Sequence, residues 1–317
     1  MTQQPTLSII APIYNEEKNI PELIDRLQKA ALQITEQYEI ILVNDGSRDS
    51  SLYQLRAATQ RHQNIKYLSF SRNFGHQIAV TAGLDHATGK AIVIIDGDLQ
   101  DPPELIPELY QKYTEGYKVV YAQRSERQGE SWFKKITATL FYRILTKITN
   151  INIPIDTGDF RLIDQQVAAQ LRRMPEHDKF LRGQIAWVGF RQTSVQFIRN
   201  ERKHGTTNYP LSKMLRFAID GITAFSNFPL RFASMAGIVV SSFAFFVILY
   251  ALFSKFVLQQ TISGWTSLII SSMFIGGIQL LTIGIIGEYI SRINNEVRNR
   301  PIYIVEEQNF VSPDPQH

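Results

Sequence analysis

Apolar positions fall along the chain in two regimes. Up to about residue 210 they come as short runs between polar stretches, while most of 232–287 is apolar with little interruption. In the first regime residues 6–13 read as a strand, and helix-like sequence follows to about Gln33. Residues 39–44, 65–70, 91–96 and 118–123 read as further strands. Helical patterns cover 51–62, 77–86 and the stretch after Pro102-Pro103. Short Ile/Val-rich runs bounded by turn residues are the signature of buried strands. Strands alternating with helices predict a mostly parallel α/β sheet with helices on both faces. Such sheets bind ligands beyond the carboxyl ends of their strands.

The second regime predicts a different solvent. Residues 232–253 and 266–287 carry no charge, and each is long enough to cross a hydrocarbon core of about 30 Å. Lys255 is the one charge in the connection 254–265, whereas Lys213, Arg216 and Arg231 precede the pair and Arg292, Arg298 and Arg300 follow it. The positive-inside rule then places both termini and the polar domain in the cytoplasm, with two spans in the cell membrane. Ser272, Gly276, Gly277 and Gly284 give the second span a small-residue face suited to close helix packing, pointing to a homo-oligomer. Residues 131–149 have an amphipathic pattern that reads as a surface helix packed on the sheet, with a helix touching the membrane surface as the alternative. The similar pattern over 211–228 reads as an interfacial helix on the membrane surface. The chain thus divides into a cytoplasmic domain over 1–209, an interfacial helix over 210–231, a membrane hairpin over 232–290 and a cytoplasmic tail over 291–317.

Composition narrows the partners. The 317 residues carry a net charge of +4, with basic residues scattered and several beside the apolar spans. This fits an anionic membrane surface and gives no nucleic-acid footprint. With no cysteine, a disulfide framework and a zinc–thiolate site are excluded. No signal-peptide pattern opens the sequence.

The polar residues at the predicted strand ends form the candidate site. Pro12, Tyr14, Asn15 and Glu16 close the first strand, Asp45 the second, Asp96 and Asp98 the fourth, and Arg124 the fifth. Tyr14 can stack on a base, and Asp45 can accept a hydrogen bond from a base or ribose. Asp96-Gly97-Asp98 offers two hard oxygen ligands around a flexible glycine, which suits Mg²⁺ or Mn²⁺ bridging a diphosphate. The first strand is followed by no Gly-x-Gly-x-x-Gly, and there is no Gly-Lys-Ser/Thr loop, which argues against a dinucleotide enzyme or a P-loop NTPase.

Several stretches together resemble a known family. They are Pro12-Ile13-Tyr14-Asn15-Glu16, Val43-Asn44-Asp45-Gly46-Ser47, Ser71-Arg72-Asn73-Phe74-Gly75, the run from Asp96 to Glu104, and Thr157-Gly158-Asp159-Phe160-Arg161. The run from Phe225 to Arg231 and Gly287-Glu288-Tyr289 add to them. The chain is similar to family 2 glycosyltransferases of the GT-A fold, within them to polyprenyl-phosphate glycosyltransferases. Dolichol-phosphate mannosyltransferases and, more closely, bacterial bactoprenol glucosyltransferases are the groups it resembles. Gly97 stands where family members often have Ala.

The resemblance implies an inverting transfer of glucose from UDP-glucose to undecaprenyl (polyprenyl) phosphate, with GDP-mannose or UDP-aminoarabinose as alternative donors. It implies that Pro12, Tyr14, Asn15, Glu16 and Asp45 bind the nucleotide, and that Asp96, Asp98 and Gln100 organise the metal and diphosphate. Arg124 and Arg202 are the expected phosphate-binding cations; Thr207-Asn208-Tyr209 replaces the Ser-Lys-Tyr of the family pattern after Arg202. Asp156 and Asp159 are expected to orient the acceptor, with Asp156 in the place where a base is often assigned. A processive polysaccharide synthase would show a Gln-x-x-Arg-Trp motif, which this chain lacks. A membrane-anchored nucleotide-sugar scaffold is the non-enzymatic alternative. His76 reads as a surface histidine at a helix start, and Trp132, Trp187 and Trp265 as core or interface residues.

Overall fold

Leu7–Ile13 forms β1, buried at every position. A strand this uniformly apolar needs cover on both faces, and it lies inside the sheet with parallel neighbours on either side. Those neighbours are β2 (Tyr38–Asn44) and β4 (Ala91–Ile94). The computed structural model describes residues 4–124, 157–198, 228–257 and 264–310. Among them a single sheet runs in the order β7-β5-β6-β4-β1-β2-β3-β8. Here β3 is Ile65–Phe70, β5 Val119–Arg124, β6 Thr157–Asp164, β7 Gln192–Phe197 and β8 Val305–Gln308.

The helices follow the strands as the hydrophobic pattern predicts. These are α1 (Ile20–Leu32), α2 (Ser51–Arg61), α3 (His76–His86) and α4 (Ile106–Thr114), the last preceded by a 3-10 turn over Pro103–Leu105. Two more, α5 (Gln165–Arg172) and α6 (Leu181–Val188), follow β6. Side chains alternate between two cores. Ile9, Ala11 and Ile13 join one with Leu23, Leu27 and Ile106; Ile10 joins the other with Val80, Leu84 and Ile185. The sheet is therefore a buried middle layer. The connection 125–156 and the stretch 199–227 lie outside the described residues, and with them the amphipathic patterns over 131–149 and 211–227.

Strand order fixes where a ligand can enter. From β1 the chain moves outward through β2 and β3 on one side, and β4 lies on the other. The reversal opens a crevice at the carboxyl ends of β1 and β4. β6 then inserts antiparallel to β4, with Ile94 opposite Arg161. Two residues further in the same register, the start of β6 carries Asp159 to the end of β4, where Asp96 stands.

Among the described residues, those of Met1–Lys213 and Pro301–His317 form one compact unit and those of Met214–Arg300 a second. The second contains α7 (Phe228–Phe256) and α8 (Trp265–Val297). Both are long and apolar enough to cross a membrane, over Pro229–Ser254 and Ser271–Val297, and neither apolar window is buried. The tail read over 291–317 contains a strand after α8. Val305–Gln308 pairs antiparallel with β3 and closes that edge of the sheet.

At the opposite end of the strands from the crevice, one buried network ties β1, β2, β3 and the start of β4 together. Glu39 is 3% exposed. It accepts hydrogen bonds from Ser8 Oγ (2.6 Å), Lys66 Nζ (2.6 Å), and Thr88 N and Oγ1 (2.7 and 2.9 Å). Burial alone would raise its pKa, but the bonds from Lys66, Ser8 and the Thr88 amide outweigh burial and hold it below the usual carboxylate value. A depressed carboxylate contributes stability that is complete above its unfolded pKa, near 4.3, and is lost as pH falls through the lower folded value. Glu39→Ala should therefore destabilise the domain by roughly 2–3 kcal/mol at pH 7, since it strands buried donors. Thermal unfolding followed across pH should show Glu39→Gln with a shallower loss below about pH 4.5 than the native chain. Equal acid slopes in the two proteins would contradict this role.

Candidate active site

The crevice is shaped by close backbone contact. Gly97, just past β4, packs on the end of β1: a Cβ there would meet Pro12 O and Ile13 Cδ1 at 2.8 Å each. Leu99, two residues on, has φ +59° and is only 4% exposed. A buried leucine in the left-handed region carries backbone strain of about 1–3 kcal/mol. Packing of its side chain into the core beside Ile106 holds it there. The turn is also pinned by the Gln100 amide, which donates to Asp98 Oδ1 at 3.1 Å. The local fold thus fixes both Asp96 and Asp98 at the strand end.

A charge cluster gathers around Asp159, the carboxylate that β6 delivers. Arg182 Nε donates to Asp159 Oδ1 at 2.8 Å, and Gln77 Nε2 to Oδ2 at 3.2 Å. His76 Nε2 lies 3.0 Å from Asp159 Oδ2 and 3.5 Å from Asp96 Oδ1. Arg161, fully buried, donates through Nη2 to Gly158 O at 2.7 Å and through Nε to Asp159 O at 3.2 Å. Burial opposes ionisation of Asp159, but Arg182 and His76 outweigh it and hold the carboxyl well below its ordinary value. For His76, burial would lower the pKa; the Asp159 hydrogen bond and the charges of Asp96 and Asp159 prevail and push it up to about 9. His76 is thus a cation at neutral pH. It does begin α3, as the sequence indicated, but it belongs to this cluster and is no bystander on the surface.

Asp96 differs from Asp159. Its Oδ1 is buried and receives no hydrogen bond among the described residues. Burial, first of all, raises its pKa; the His76 charge opposes that, while the charges of Asp159 and Asp98 add to it. His76, Asp96 and Asp159 each bring one ligand atom within 4.8 Å of the others. A buried carboxylate oxygen without a hydrogen bond suits a divalent cation, whereas His76 in its protonated form offers the ion no lone pair. Asp159 already has Arg182 against it, so Asp96 is the member of the trio open to further coordination.

At the end of β2, Asp45 is occupied. Asn73 Nδ2 donates to its Oδ2 at 2.9 Å, the Phe74 amide to Oδ1 at 2.6 Å, and the Gly75 amide to both oxygens at 3.2 and 3.0 Å. Both oxygens face the protein's own β3–α3 loop. Gly46 makes that contact possible. At φ +62°, a Cβ there would lie 2.3 Å from the Arg72 carbonyl carbon and 2.5 Å from Asn73 N. Asp45 thus ties the end of β2 to the loop 71–75. Burial raises its pKa against those amide bonds.

The other expected residues divide by role. Tyr14 is 44% exposed and free to stack. Asn15 sits at φ +56° and is locked to the β2 end, donating from its amide to Ser47 Oγ and accepting from Arg48 N. The Glu16 amide donates to Ser51 Oγ, and its carboxylate accepts from Asn19 Nδ2 at 2.5 Å. Arg124 ends β5 beside Gly158, where a Cβ would lie 3.3 Å from Arg124 Nη2 and 3.9 Å from Asp101 Oδ2. Asp156 and Arg202 lie outside the described residues. Sequence reasoning assigned no role to His76, Asp101, Arg161 or Arg182. The first three stand in or beside quoted motifs, so position alone could have flagged them; Arg182 carries no such signal.

Comparison with known proteins gives the family. Residues 8–172 match the family described as glycosyl transferase family 2. The chain is 51% identical to a Bacillus subtilis (strain 168) protein named uncharacterized glycosyltransferase YkcC, over 96% of this chain and 95% of that one. It is 39% identical to the prophage bactoprenol glucosyl transferase homolog of Escherichia coli (strain K12), over 95% and 98%. It is 38% identical to the SfII prophage-derived bactoprenol glucosyl transferase of Shigella flexneri, over 97% and 99%.

The two glycines of the crevice should respond differently to alanine. Gly46→Ala adds a left-handed penalty of about 1–2 kcal/mol to a collision with rigid backbone, and should lower the melting temperature and abolish nucleotide binding. Gly97→Ala asks for a smaller shift at Pro12 O and should fold, with binding weakened severalfold at most. Calorimetric titration with UDP and thermal unfolding of both variants would check this ranking, and a Gly46→Ala chain that binds normally would refute it.

Proposed function

The chain belongs to glycosyl transferase family 2, and from that premise we propose that it transfers glucose from UDP-glucose to a polyprenyl phosphate, undecaprenyl phosphate in the bacterial case. The observation that carries the reading is the crevice at the β1–β4 reversal. It brings Asp96, whose Oδ1 accepts no hydrogen bond among the described residues, beside His76 and the Asp159–Arg182 pair, with Asp98 two residues on. Carboxylates facing fixed cations suit a reaction in which one phosphate attacks and a diphosphate leaves. The bactoprenol glucosyl transferases among the relatives support glucose and a polyprenyl acceptor.

The reaction is a single displacement. A non-bridging oxygen of the lipid phosphate forms a bond to the anomeric carbon. The bond from that carbon to the diphosphate oxygen breaks, and its electron pair leaves with the nucleoside diphosphate. Attack opposite the leaving group inverts the α-linked sugar to a β-linked one. A phosphate monoester is mostly dianionic near neutral pH, its second pKa being about 6, so no strong base is required. Asp156 is assigned to orienting the acceptor or the sugar. Rate enhancement then comes from alignment and from charge placed where it develops.

Each group has a task in that scheme. Tyr14 stacks on the base, and Pro12, Asn15 and Glu16 shape the wall that Asp45 supports from behind. Asp96 and Asp98, with Gln100 beside them, are the residues that would hold Mg²⁺ or Mn²⁺, which supplies charge neutralisation at the leaving diphosphate. Arg124 and Arg202 bring guanidinium forks suited to the acceptor phosphate. The apolar helices α7 and α8 anchor the chain in the bilayer, with flanking Lys and Arg favouring a cytoplasmic catalytic domain. Exposed apolar surface such as Phe243 (70%), Met273 (75%) and Leu280 (73%) supports that placement.

Transfer of radiolabelled glucose from UDP-glucose to undecaprenyl phosphate, measured with the full chain in detergent, tests the proposal. Label should enter the lipid phase, stop with chelator and return with Mg²⁺ or Mn²⁺. Asp98→Ala and Asp96→Asn should each lower kcat by at least about 100-fold, the scale of losing one preorganised electrostatic contact. Label from GDP-mannose or UDP-aminoarabinose alone would keep the reaction and overturn the donor. Absence of label from every nucleotide sugar would overturn the enzymatic reading.

A further inference from the structure

Residues 301–310 hold the far side of the loop that builds the donor wall. The chain leaves α8, passes Asn299 in the left-handed region (φ +45°) and Pro301, and then pairs along β3. Leu68 faces Gln308 and Ser69 faces Glu307, but Phe70 faces Val305, with a register shift between Ser69 and Phe70. Such a bulge re-aims the strand beyond it. Here it brings the Ser71 amide to Ile304 O at 3.1 Å, at the first residue of the loop 71–75.

Tyr303 joins both arms of that loop. Its ring stacks on Phe70, the last residue of β3, with centroids 5.2 Å apart and planes at 24°. Phe70 in turn meets Phe74 of the loop edge-on, at 5.5 Å and 80°. The Tyr303 hydroxyl donates to Asp85 Oδ2 at 3.0 Å, on the last turn of α3. One side chain thus fixes the strand before the loop and the helix after it. The loop supplies the amides that fill Asp45, and α3 begins with His76 at the Asp96–Asp159 cluster.

A second set of contacts secures the segment independently of the loop. Glu307 pairs with Arg56 of α2 through both carboxylate oxygens and accepts from the Tyr67 hydroxyl at 3.0 Å. Asn309 Oδ1 accepts from the Tyr67 amide at 2.7 Å, and its Nδ2 donates to Ile65 O at 3.3 Å. The outer half of the segment attaches it to the sheet, while the Tyr303 half acts on the loop.

We propose that residues 301–310 form a positioning strap for the donor-binding loop 71–75, with Tyr303 as the positioning residue. Through it, donor affinity depends on a segment directly continuous with α8. The proposal rests on the nucleotide-sugar reading of the crevice, and Tyr303 touches none of the reacting atoms.

The experiment uses the full chain in detergent with Tyr303→Ala, Tyr303→Phe and Glu307→Gln. Transfer kinetics, melting temperature and hydrogen exchange at residues 71–76 are measured for each. Tyr303→Ala should raise the KM for UDP-glucose about 10-fold, equivalent to about 1.4 kcal/mol, with kcat changed less than about 2-fold. Exchange at 71–76 should quicken in the same variant. Tyr303→Phe keeps the stack and should recover most of the affinity. Glu307→Gln should lower the melting temperature and leave KM unchanged. An unchanged KM in Tyr303→Ala, or an equal rise in Glu307→Gln, would overturn the proposal. Should Tyr303→Ala not fold, Tyr303→Leu is read by the same criteria. If the native chain transfers no glucose, the donor reading has failed, and exchange at 71–76 decides the strap alone. Faster exchange in the Tyr303 variant but not in Glu307→Gln supports it; equal exchange refutes it.

Discussion

Asp159 is a carboxylate withdrawn from most of its water, and the neighbourhood of the crevice depends on how its charge is answered. A buried ion pair is stable only when geometry is good and the remaining hydrogen-bond sites are filled. Asp159 receives Arg182 from α6, Gln77 from α3 and the cationic ring of His76, while the buried Arg161 donates to the carbonyls of Gly158 and Asp159, on either side of the Asp159 Cα. Gln77 also accepts from the Leu181 amide at the start of α6 through its Oε1. One carboxylate therefore sets β6, α3 and α6 against each other, and it does so beside Asp96. Losing it would leave buried cations without a counter-charge, a heavier penalty than losing the attraction itself.

The carboxylates at the ends of β2 and β4 make the opposite choice from each other. Asp45 is filled by amides of its own chain, and both of its oxygens are turned inward. Asp96 presents an Oδ1 that accepts no hydrogen bond among the described residues, with the His76 ring 3.5 Å away, and buried acceptors of that kind are rare in folded proteins. The difference follows from the neighbours. Gly46 lets the 71–75 backbone approach the end of β2 to contact distance, whereas the end of β4 faces the crevice opened by the reversal of strand order. The first arrangement makes a wall and the second makes a binding group. The strained turn at Leu99 is consistent with this: backbone energy is stored where a side chain must be aimed.

The sequence made the first half of the fold legible and much of the second half illegible, for a physical reason. β1 to β5 are apolar runs between turn residues, so their pattern and their helices could be placed to within a residue or two, Ile95 and Asp96 beyond β4 excepted. β6 reads Thr-Gly-Asp-Phe-Arg-Leu-Ile-Asp, and its two central charges interrupt any hydrophobic period. Arg161 is nonetheless fully buried: its Nε and Nη2 donate to the Asp159 and Gly158 carbonyls and Asp159 supplies the counter-charge, while Nη1 has no hydrogen-bond partner among the described residues. β7 and β8 are short and polar, as edge strands tend to be. The strand-end carboxylates were found because motif and topology both point to them. His76 and Arg182 were given no role because a cation's function here comes from its partner across the sheet, which no local pattern reveals.

β8 shows how an edge can be closed without an apolar signal. An open β3 edge would present unpaired amides and carbonyls next to the loop that lines the crevice, a template for unwanted pairing. Val305-Glu306-Glu307-Gln308 covers it with an alternating strand: Val305 packs toward the core containing Phe70, while Glu306 faces solvent. The charges that hide this strand from a hydrophobicity reading are the ones that fix its register, through Glu307 and Arg56. The segment follows α8 after only residues 298–300, so the cover for this edge comes from the chain beyond the apolar helices. The strand that closes the β3 edge beside the crevice loop and the helices fitted to cross a membrane are therefore consecutive along the chain.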